Sequence, residues 1–421
     1  MFSYHNTMEF AQQMDAQDNL KDFRKRFIIP QHNGSTVVYF CGNSLGLQPG
    51  TTRAYINQEL DDWAALGVEG HFRAKYAWFP YHNFLRESTS RLVGALPSEV
   101  VIMNQLTVNL HLMLVSFYVP TAERYKIIIE ANAFPSDRYA VQSHAFLHGF
   151  EKDDAIIELT PRSGEYILRA EDILKAIAEN EESLALVILG GVNYYSGQLF
   201  NMKEITLAAH KAGAYCGFDL AHAAGNVMLD LHKWNVDFAV WCSYKYLNSS
   251  PGGVAGCFVH QHHGSNFNLP RLAGWWGNNP DTRFEMPHDF IPTEGADGWQ
   301  LSNAPIMAMA CLRASMDIYE EATMLRLTAK SKLLTGYLEF IIDDVIQKLN
   351  LSNKVSIITP RDENERGSQL SLIIKKNGKK VYQYLADNGV IVDWREPEVL
   401  RMAPVPLYNS FEDVYRLWCA F

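Results

Sequence analysis

Residues 217–256 read GFDLAHAAGNVMLDLHKWNVDFAVWCSYKYLNSSPGGVAG, and they hold two apolar runs that each end in a charged group. Residues 215–218 run into Asp219. Residues 236–242 run into Ser243, Tyr244 and Lys245, after which Asn248, Ser249, Ser250, Pro251, Gly252 and Gly253 turn the chain. Short apolar runs bounded by turn residues predict buried strands. In an open α/β sheet, ligands bind beyond the carboxyl ends of the strands, where Asp219 and Lys245 both fall. The lysine stands between an apolar strand and a glycine turn rather than on a polar face. That placement ranks a ligand-facing role above the ordinary solvated lysine.

Outward from this stretch, strands and helices alternate. Strands are predicted over 99–103, 126–130, 155–159 and 184–189, and helices over 51–66, 107–118, from 134, 169–180 and 203–212. This is the pattern of an α/β fold with a mainly parallel sheet covered on both faces. The loops that follow the strands carry Leu106 and Thr107, Phe134-Pro135-Ser136-Asp137, and 190–197. Thr107 is the expected N-cap of its helix, where free N–H groups and the helix dipole favour a phosphate, although most threonine caps bind nothing. Pro135 with Ser136 and Asp137 is ordinary capping chemistry, distinguished here by lying on the same predicted edge as Asp219.

Before this unit come a predicted helix over 9–27, a strand over 36–40 and the glycine-bearing turn 41–49. A helix over 300–319, beginning at Gln300-Leu301-Ser302-Asn303, follows it. From about 325 the texture changes to a long helix, strands over 355–359 and 370–375, a helix over 380–388 and segments 390–395 and 399–403, as in a compact α+β domain. The expected division is an N-terminal segment 1–50 packed with the small domain, a large domain 51–295, and a small C-terminal domain 296–421.

A lysine and an aspartate at one sheet edge serve one chemistry directly. The lysine amine captures the aldehyde of pyridoxal 5'-phosphate (PLP), and a carboxylate keeps the pyridine nitrogen protonated so that the ring becomes an electron sink. The bland reading is a capping aspartate and a surface lysine. His222, three residues after Asp219, packs on such a ring or fills core. Tyr244 points away from Lys245 unless the strand has already ended. Trp275 carries a donor-only indole N–H suited to an anionic oxygen. Arg401, inside an apolar segment, needs an anion: a carboxylate ligand or a structural salt bridge. His260, His262 and His263 lack zincin spacing, so they are expected to be solvated, with no metal site. No G-x-G-x-x-G or Walker A pattern occurs.

The charge balance, Lys+Arg 37 against Asp+Glu 47 for a net −10, argues against nucleic acid or an anionic membrane as partner. Six cysteines without a C-x-x-C pair suit a reducing compartment. The first twenty residues lack a basic start with an apolar core, so an unprocessed, cytoplasmic protein is expected.

Together DLAHAAGN (219–226), VDFAVWCSYKYLN (236–248), PGGVAG (251–256), GNSLGLQP (42–49), FPSD (134–137) and RMAPVPLYNSF (401–411) resemble the kynureninase family, PLP enzymes of fold type I. The resemblance runs along most of the chain. It implies hydrolysis of the Cβ–Cγ bond of kynurenine or 3-hydroxykynurenine to alanine and an anthranilate. It implies that Lys245, Asp219 and Tyr244 are catalytic, and that Leu106, Thr107, Phe134, Pro135, Ser136, Asp137, His222, Trp275 and Asn303 join them around the cofactor. Ser44, His71, Asn303 and Arg401 would meet the substrate, Arg401 at its α-carboxylate. The family also implies a homodimer, with Trp275 reaching across to the partner subunit's phosphate, and a lean through His71 and Asn303 toward the hydroxylated substrate. Gly190 departs from relatives that often carry a hydroxyl residue there, so a contact from it must be through backbone. The competing readings are another fold type I enzyme, such as a class V aminotransferase or a cysteine desulfurase, and a catalytically silent PLP- or metabolite-binding scaffold.

Overall fold

The computed structural model describes residues 3–420. Its centre is a seven-stranded sheet of β1 (Val100–Ile102), β2 (Lys126–Glu130), β3 (Ile156–Leu159), β4 (Leu184–Gly190), β5 (Tyr215–Asp219), β6 (Phe238–Trp241) and β7 (Gly256–Val259). Their order is β1-β7-β6-β5-β4-β2-β3, and only β7 runs antiparallel to its neighbours. The near-continuous Ile, Leu and Val runs are explained by burial of both faces. Ile127 and Ile129 enter one core with Leu186, Ile188 and Val240, while Ile128 enters the opposite core with Val187, Leu189 and Phe218. Each such side chain contributes roughly 1.5–3 kcal/mol through burial. At Gly217 a Cβ would stand 2.1 Å from the Phe238 ring, so only glycine lets β5 and β6 lie together there.

A second, antiparallel sheet of Val355–Ile357, Leu370–Ile374, Val399–Met402 and Asp393–Arg395 belongs to a separate core, with the long helix Met324–Lys348 packed on it. The start of the chain joins that unit. Val38–Tyr39 pairs in parallel with Val390–Ile391, and the Asp15 carboxylate accepts the Phe411 and Glu412 N–H groups at the start of helix Phe411–Cys419.

Local chemistry explains where elements differ from sequence expectation. The helix expected over 9–27 stops at Gln17, because Asp18 turns extended and its carboxylate accepts the Leu20 N–H, a bond that competes with the helix. The first helix after β1 is Leu106–Phe117, with Gln105 rather than Thr107 at its cap. Pro305 disfavours helix for the residue before it, so the helix expected over 300–319 is Ile306–Ala322 and Asn303 lies in the preceding loop. That helix, expected in the smaller domain, packs instead on Thr52–Leu66 and Asn83–Val93, with Met309, Leu312, Met316 and Ile318 in the large core and Arg313 paired with Glu59.

The amino edge of the sheet corrects the reading of His260 and His263 as solvated, while His262 is exposed as expected. His260 is buried, and its Nε2–H donates to the His232 carbonyl at 3.2 Å. His263 donates to Asp237 Oδ1 at 2.7 Å, while His210 and the Cys216 N–H donate to Oδ2 at 2.8 and 2.7 Å. Periodicity cannot show this, because Asp237 and Glu99 precede strands and meet the histidines only once the sheet is assembled. Among the described residues no helix is long and apolar enough to cross a membrane.

Candidate active site

The carboxyl ends of β1, β2, β4, β5 and β6 surround one cleft. Leu106, Thr107, Phe134, Ser136, Asp137, Asp219, His222, Tyr244 and Lys245 all line it. β6 ends at Trp241, three residues before Tyr244, so the pleat no longer forces neighbours to opposite sides and both Tyr244 and Lys245 face the cleft. Two helix starts converge on it, Leu106–Phe117 and Pro135–Leu147, with Pro135 at the first position of the second. Thr107 Oγ1 and Ser136 Oγ lie 2.8 Å apart between them. Free N–H groups and hydroxyls at paired helix starts make an anion cradle.

Lys245 Nζ is 3.1 Å from His222 Nε2 and 5.8 Å from the centre of the Phe134 ring. Burial first, then the Lys245 charge, hold the His222 pKa well below its ordinary value, so its neutral Nε2 accepts from the lysine. Its Nδ1 is then a buried N–H without a protein partner. Burial raises the pKa of Asp219, while the Lys245 charge and the Ala221 N–H oppose it. Burial, followed by the Asp219 charge, pushes Asp137 well above the carboxylate range. We read this pair as Asp137 protonated and donating to an ionised Asp219. Asp137 Oδ1 has no protein partner. A flat ring with a cationic N–H for Asp219, an acceptor for His222 and an anionic arm for the helix starts satisfies these groups, and PLP is such a molecule.

Glu130, Asn193 and Tyr194 also line the cleft; the sequence placed Asn193 and Tyr194 in the binding-edge loop 190–197 without a role and gave Glu130 no place at the site. Glu130 accepts the Gly190 N–H at 2.7 Å and an Asn193 amide N–H, and burial pushes its pKa up to about 7. A charged residue closing the apolar run KIIIE, as Asp219 closes YCGFD, was the signal available for it. The Gly190 N–H is committed to Glu130, and a Cβ at Gly190 would stand 3.1 Å from that carboxylate.

Six of the expected residues are not on this cleft's lining, one of them Pro135, which opens the second helix instead. Arg401 is wholly buried behind Tyr194, donating to its carbonyl at 2.6 Å and from Nε to Asp393 at 3.1 Å. Its Nη2 lies 2.9 Å from Asp393 without an aligned hydrogen bond. Ser44 sits in the turn whose Gly46 N–H donates to the Tyr244 carbonyl at 2.8 Å; a Cβ at Gly46 would come within 2.3 Å of the Lys245 carbonyl. His71 packs edge-on against Trp78. Trp275 donates its indole N–H to the Arg283 carbonyl and remains 41% exposed. Asn303 lines a separate groove with Gln105 and Gly252.

The architecture and the cleft are those of fold type I PLP-dependent enzymes. The fold is similar to that of a cysteine desulfurase from Thermococcus onnurineus NA1 (TM-score 0.76, 19% identity, 95% of this chain and 96% of that one). It is likewise similar to the cysteine desulfurase CsdA from Escherichia coli (TM-score 0.73, 16% identity, 96% and 97%). Within that class, residues 327–421 match the model of the kynureninase C-terminal domain. The chain is 54% identical to a kynureninase of Flavobacterium psychrophilum, over 98% of this chain and 96% of the relative. It is 55% identical to one of Koribacter versatilis (98% and 97%) and 51% identical to one of Myxococcus xanthus (99% and 96%). The chain belongs to the kynureninase family.

Proposed function

We propose that this chain hydrolyses the Cβ–Cγ bond of L-kynurenine, 3-hydroxy-L-kynurenine or both, yielding L-alanine and the corresponding anthranilate. The observation that carries the reading is the convergence of Lys245, Asp219 and His222 in one cleft beneath two helix starts. When bound, PLP supplies an aldehyde for the Lys245 amine and an electron sink for charge leaving the substrate's Cα.

The residues do the rest. Thr107, Ser136 and the N–H groups at Leu106 and Thr107 would hold the phosphate, and Phe134 and His222 would flank the ring. Asp219 would anchor the ring nitrogen, whose positive charge would favour the ionised carboxylate. Lys245 Nζ moves the Cα proton once the substrate amine has taken its place. Arg401 pairs with the α-carboxylate through its unaligned Nη2, with Tyr194 between it and the cleft. Water adds to the γ-carbonyl, the Cβ–Cγ bond breaks, and Cβ takes up a proton. Tyr244 stands beside Lys245 as the proton donor or as a phosphate ligand.

A homodimer fits the remaining residues. Phe72, Phe79, Phe284 and Trp275 form a continuous aromatic surface next to His71, with ring centres 5.3–6.0 Å apart. Phe72, Phe284 and Trp275 are exposed, a patch of the kind that marks an interface. His71, Trp275 and Asn303 then serve the partner's cleft. Function in the cytoplasm is in keeping with free, mostly buried cysteines.

Turnover of PLP-loaded protein on both kynurenines, followed by release of anthranilate or 3-hydroxyanthranilate, tests the reading. Product from either is expected; absence of product from both, with PLP bound, would overturn it.

A further inference from the structure

Away from the cleft, at the amino edge of the sheet, three segments distant in sequence bring together Glu99, His232 and His260. One donor atom from each lies within 4.8 Å of the other two. Glu99 Oε1 is 2.9 Å from His232 Nδ1 and 3.7 Å from His260 Nδ1. Glu99 is wholly buried, His260 is 3% exposed, and the His232 side chain is 30% exposed and opens the cluster to solvent.

The geometry points to a site for one divalent transition-metal ion, held by Glu99 Oε1, His232 Nδ1 and His260 Nδ1. The orientation of His260 carries the argument. Its Nε2–H is committed to the His232 carbonyl, so in the neutral ring Nδ1 presents a lone pair. That lone pair faces the Glu99 carboxylate, acceptor against acceptor, and the His262 N–H that also approaches Nδ1 does so at a long 3.4 Å. A cation between the two acceptors removes the conflict.

The supporting shell is built as metal sites require. The Leu96 N–H holds Glu99 Oε2 at 2.8 Å, and the Gln261 N–H holds Oε1 at 2.9 Å. A carbonyl of the cluster itself fixes the His260 tautomer. Such contacts aim ligands before the ion arrives. In a tetrahedral zinc site with bonds near 2.1 Å, ligand atoms lie about 3.4 Å apart. The observed 2.9 and 3.7 Å bracket that separation. Two imidazoles and one carboxylate favour zinc, cobalt or nickel over calcium or magnesium, which take oxygen ligands. Water would complete the coordination from the His232 side. On binding, the His232 proton moves from Nδ1 to Nε2 through solvent. The ion would tie the start of β1, the β5–β6 connection and the end of β7 together.

Cobalt(II) titrated into PLP-loaded protein reports the site through its ligand-field absorption. Wild type is expected to take up one equivalent per chain, displaceable by zinc. His232→Gln, the least buried change, should weaken binding by roughly a hundredfold while turnover stays at the wild-type level. Zinc should raise the urea midpoint of wild type and leave that of His232→Gln unmoved. Because His260→Ala risks misfolding, Glu99→Gln serves as the second variant and should also lose the equivalent. No saturable cobalt binding, or binding and stabilisation that persist in His232→Gln, would overturn the assignment.

Discussion

The two edges of the central sheet each carry buried carboxylates, and they differ in what answers the charge. At the amino edge, burial alone would raise Asp237. Hydrogen bonds from His210, His263 and the Cys216 N–H outweigh it and hold its pKa below the ordinary value. At the carboxyl edge Asp219, Asp137 and Glu130 crowd one cleft with Lys245, and all three are raised, by burial before any other cause. At the first edge the Asp237 network is satisfied within the chain and holds the fold together. The other is left with orphaned atoms that a ligand must satisfy, which is how an active site differs from a structural network.

Variants can break that comparison. The largest effect is expected from Lys245→Ala, which should lower kcat by at least about a thousandfold and remove the visible absorbance of lysine-bound PLP. A mutant that kept the absorbance would show another amine at work. The same substitution on the two edges should then separate function from stability. Asp219→Asn should cut kcat roughly a hundredfold or more while changing the urea midpoint by less than about 1 kcal/mol equivalent. Asp237→Asn should leave kcat intact and cost about 3 kcal/mol of stability. Equal loss of both quantities in both variants would erase the distinction.

The pH dependence of stability should carry opposite signs for the carboxylates Asp237 and Glu130 of the two edges. Asp237, lowered on folding, contributes stability that is present above its unfolded pKa of about 3.8 and lost as pH falls through the folded value. Its partner His210, raised by that hydrogen bond, contributes stability complete below about 6.5 and lost as pH rises through its folded value. Glu130 behaves the other way from Asp237. Its pKa rises from 4.5 to about 7, so the folded state binds more protons and stability falls as pH rises across that window. Glu130→Gln should flatten this decline by about 1–3 kcal/mol, read from urea midpoints of the cofactor-free protein at pH 4.5 and 7. An unchanged slope would mean that Glu130 is not the titrating group. The smallest effect is expected from Arg401→Lys, which should raise KM roughly tenfold with kcat little changed, as one planar fork is lost. An unchanged KM would remove Arg401 from substrate binding.

Much of the fold and of the cleft is legible in the amino-acid sequence. Strand β2 falls on the residues that its apolar run marks, and β4 and β5 each extend one residue past theirs. The loops after these strands carry most of the cleft, because in parallel sheets sequence order alone assigns each loop to an edge. Glu130 escaped notice since an isolated glutamate ending a strand reads as solvated. Arg401 could be read from its apolar surroundings as needing an anion, but its Asp393 and Tyr194 partners come from other strands and loops.

Composition, periodicity and motif spacing therefore determined the α/β class, the strand-to-loop assignments and the Lys245–Asp219 pair, because each is encoded within a few consecutive residues. Only the tertiary structure decided that Glu99, His232 and His260 meet, that Asp137 sits against Asp219, and that His71, Trp275 and Asn303 lie apart from the cleft. Those relations join residues separated by tens to hundreds of positions. Burial and charge then set their protonation, and neither is defined until the sheet has closed.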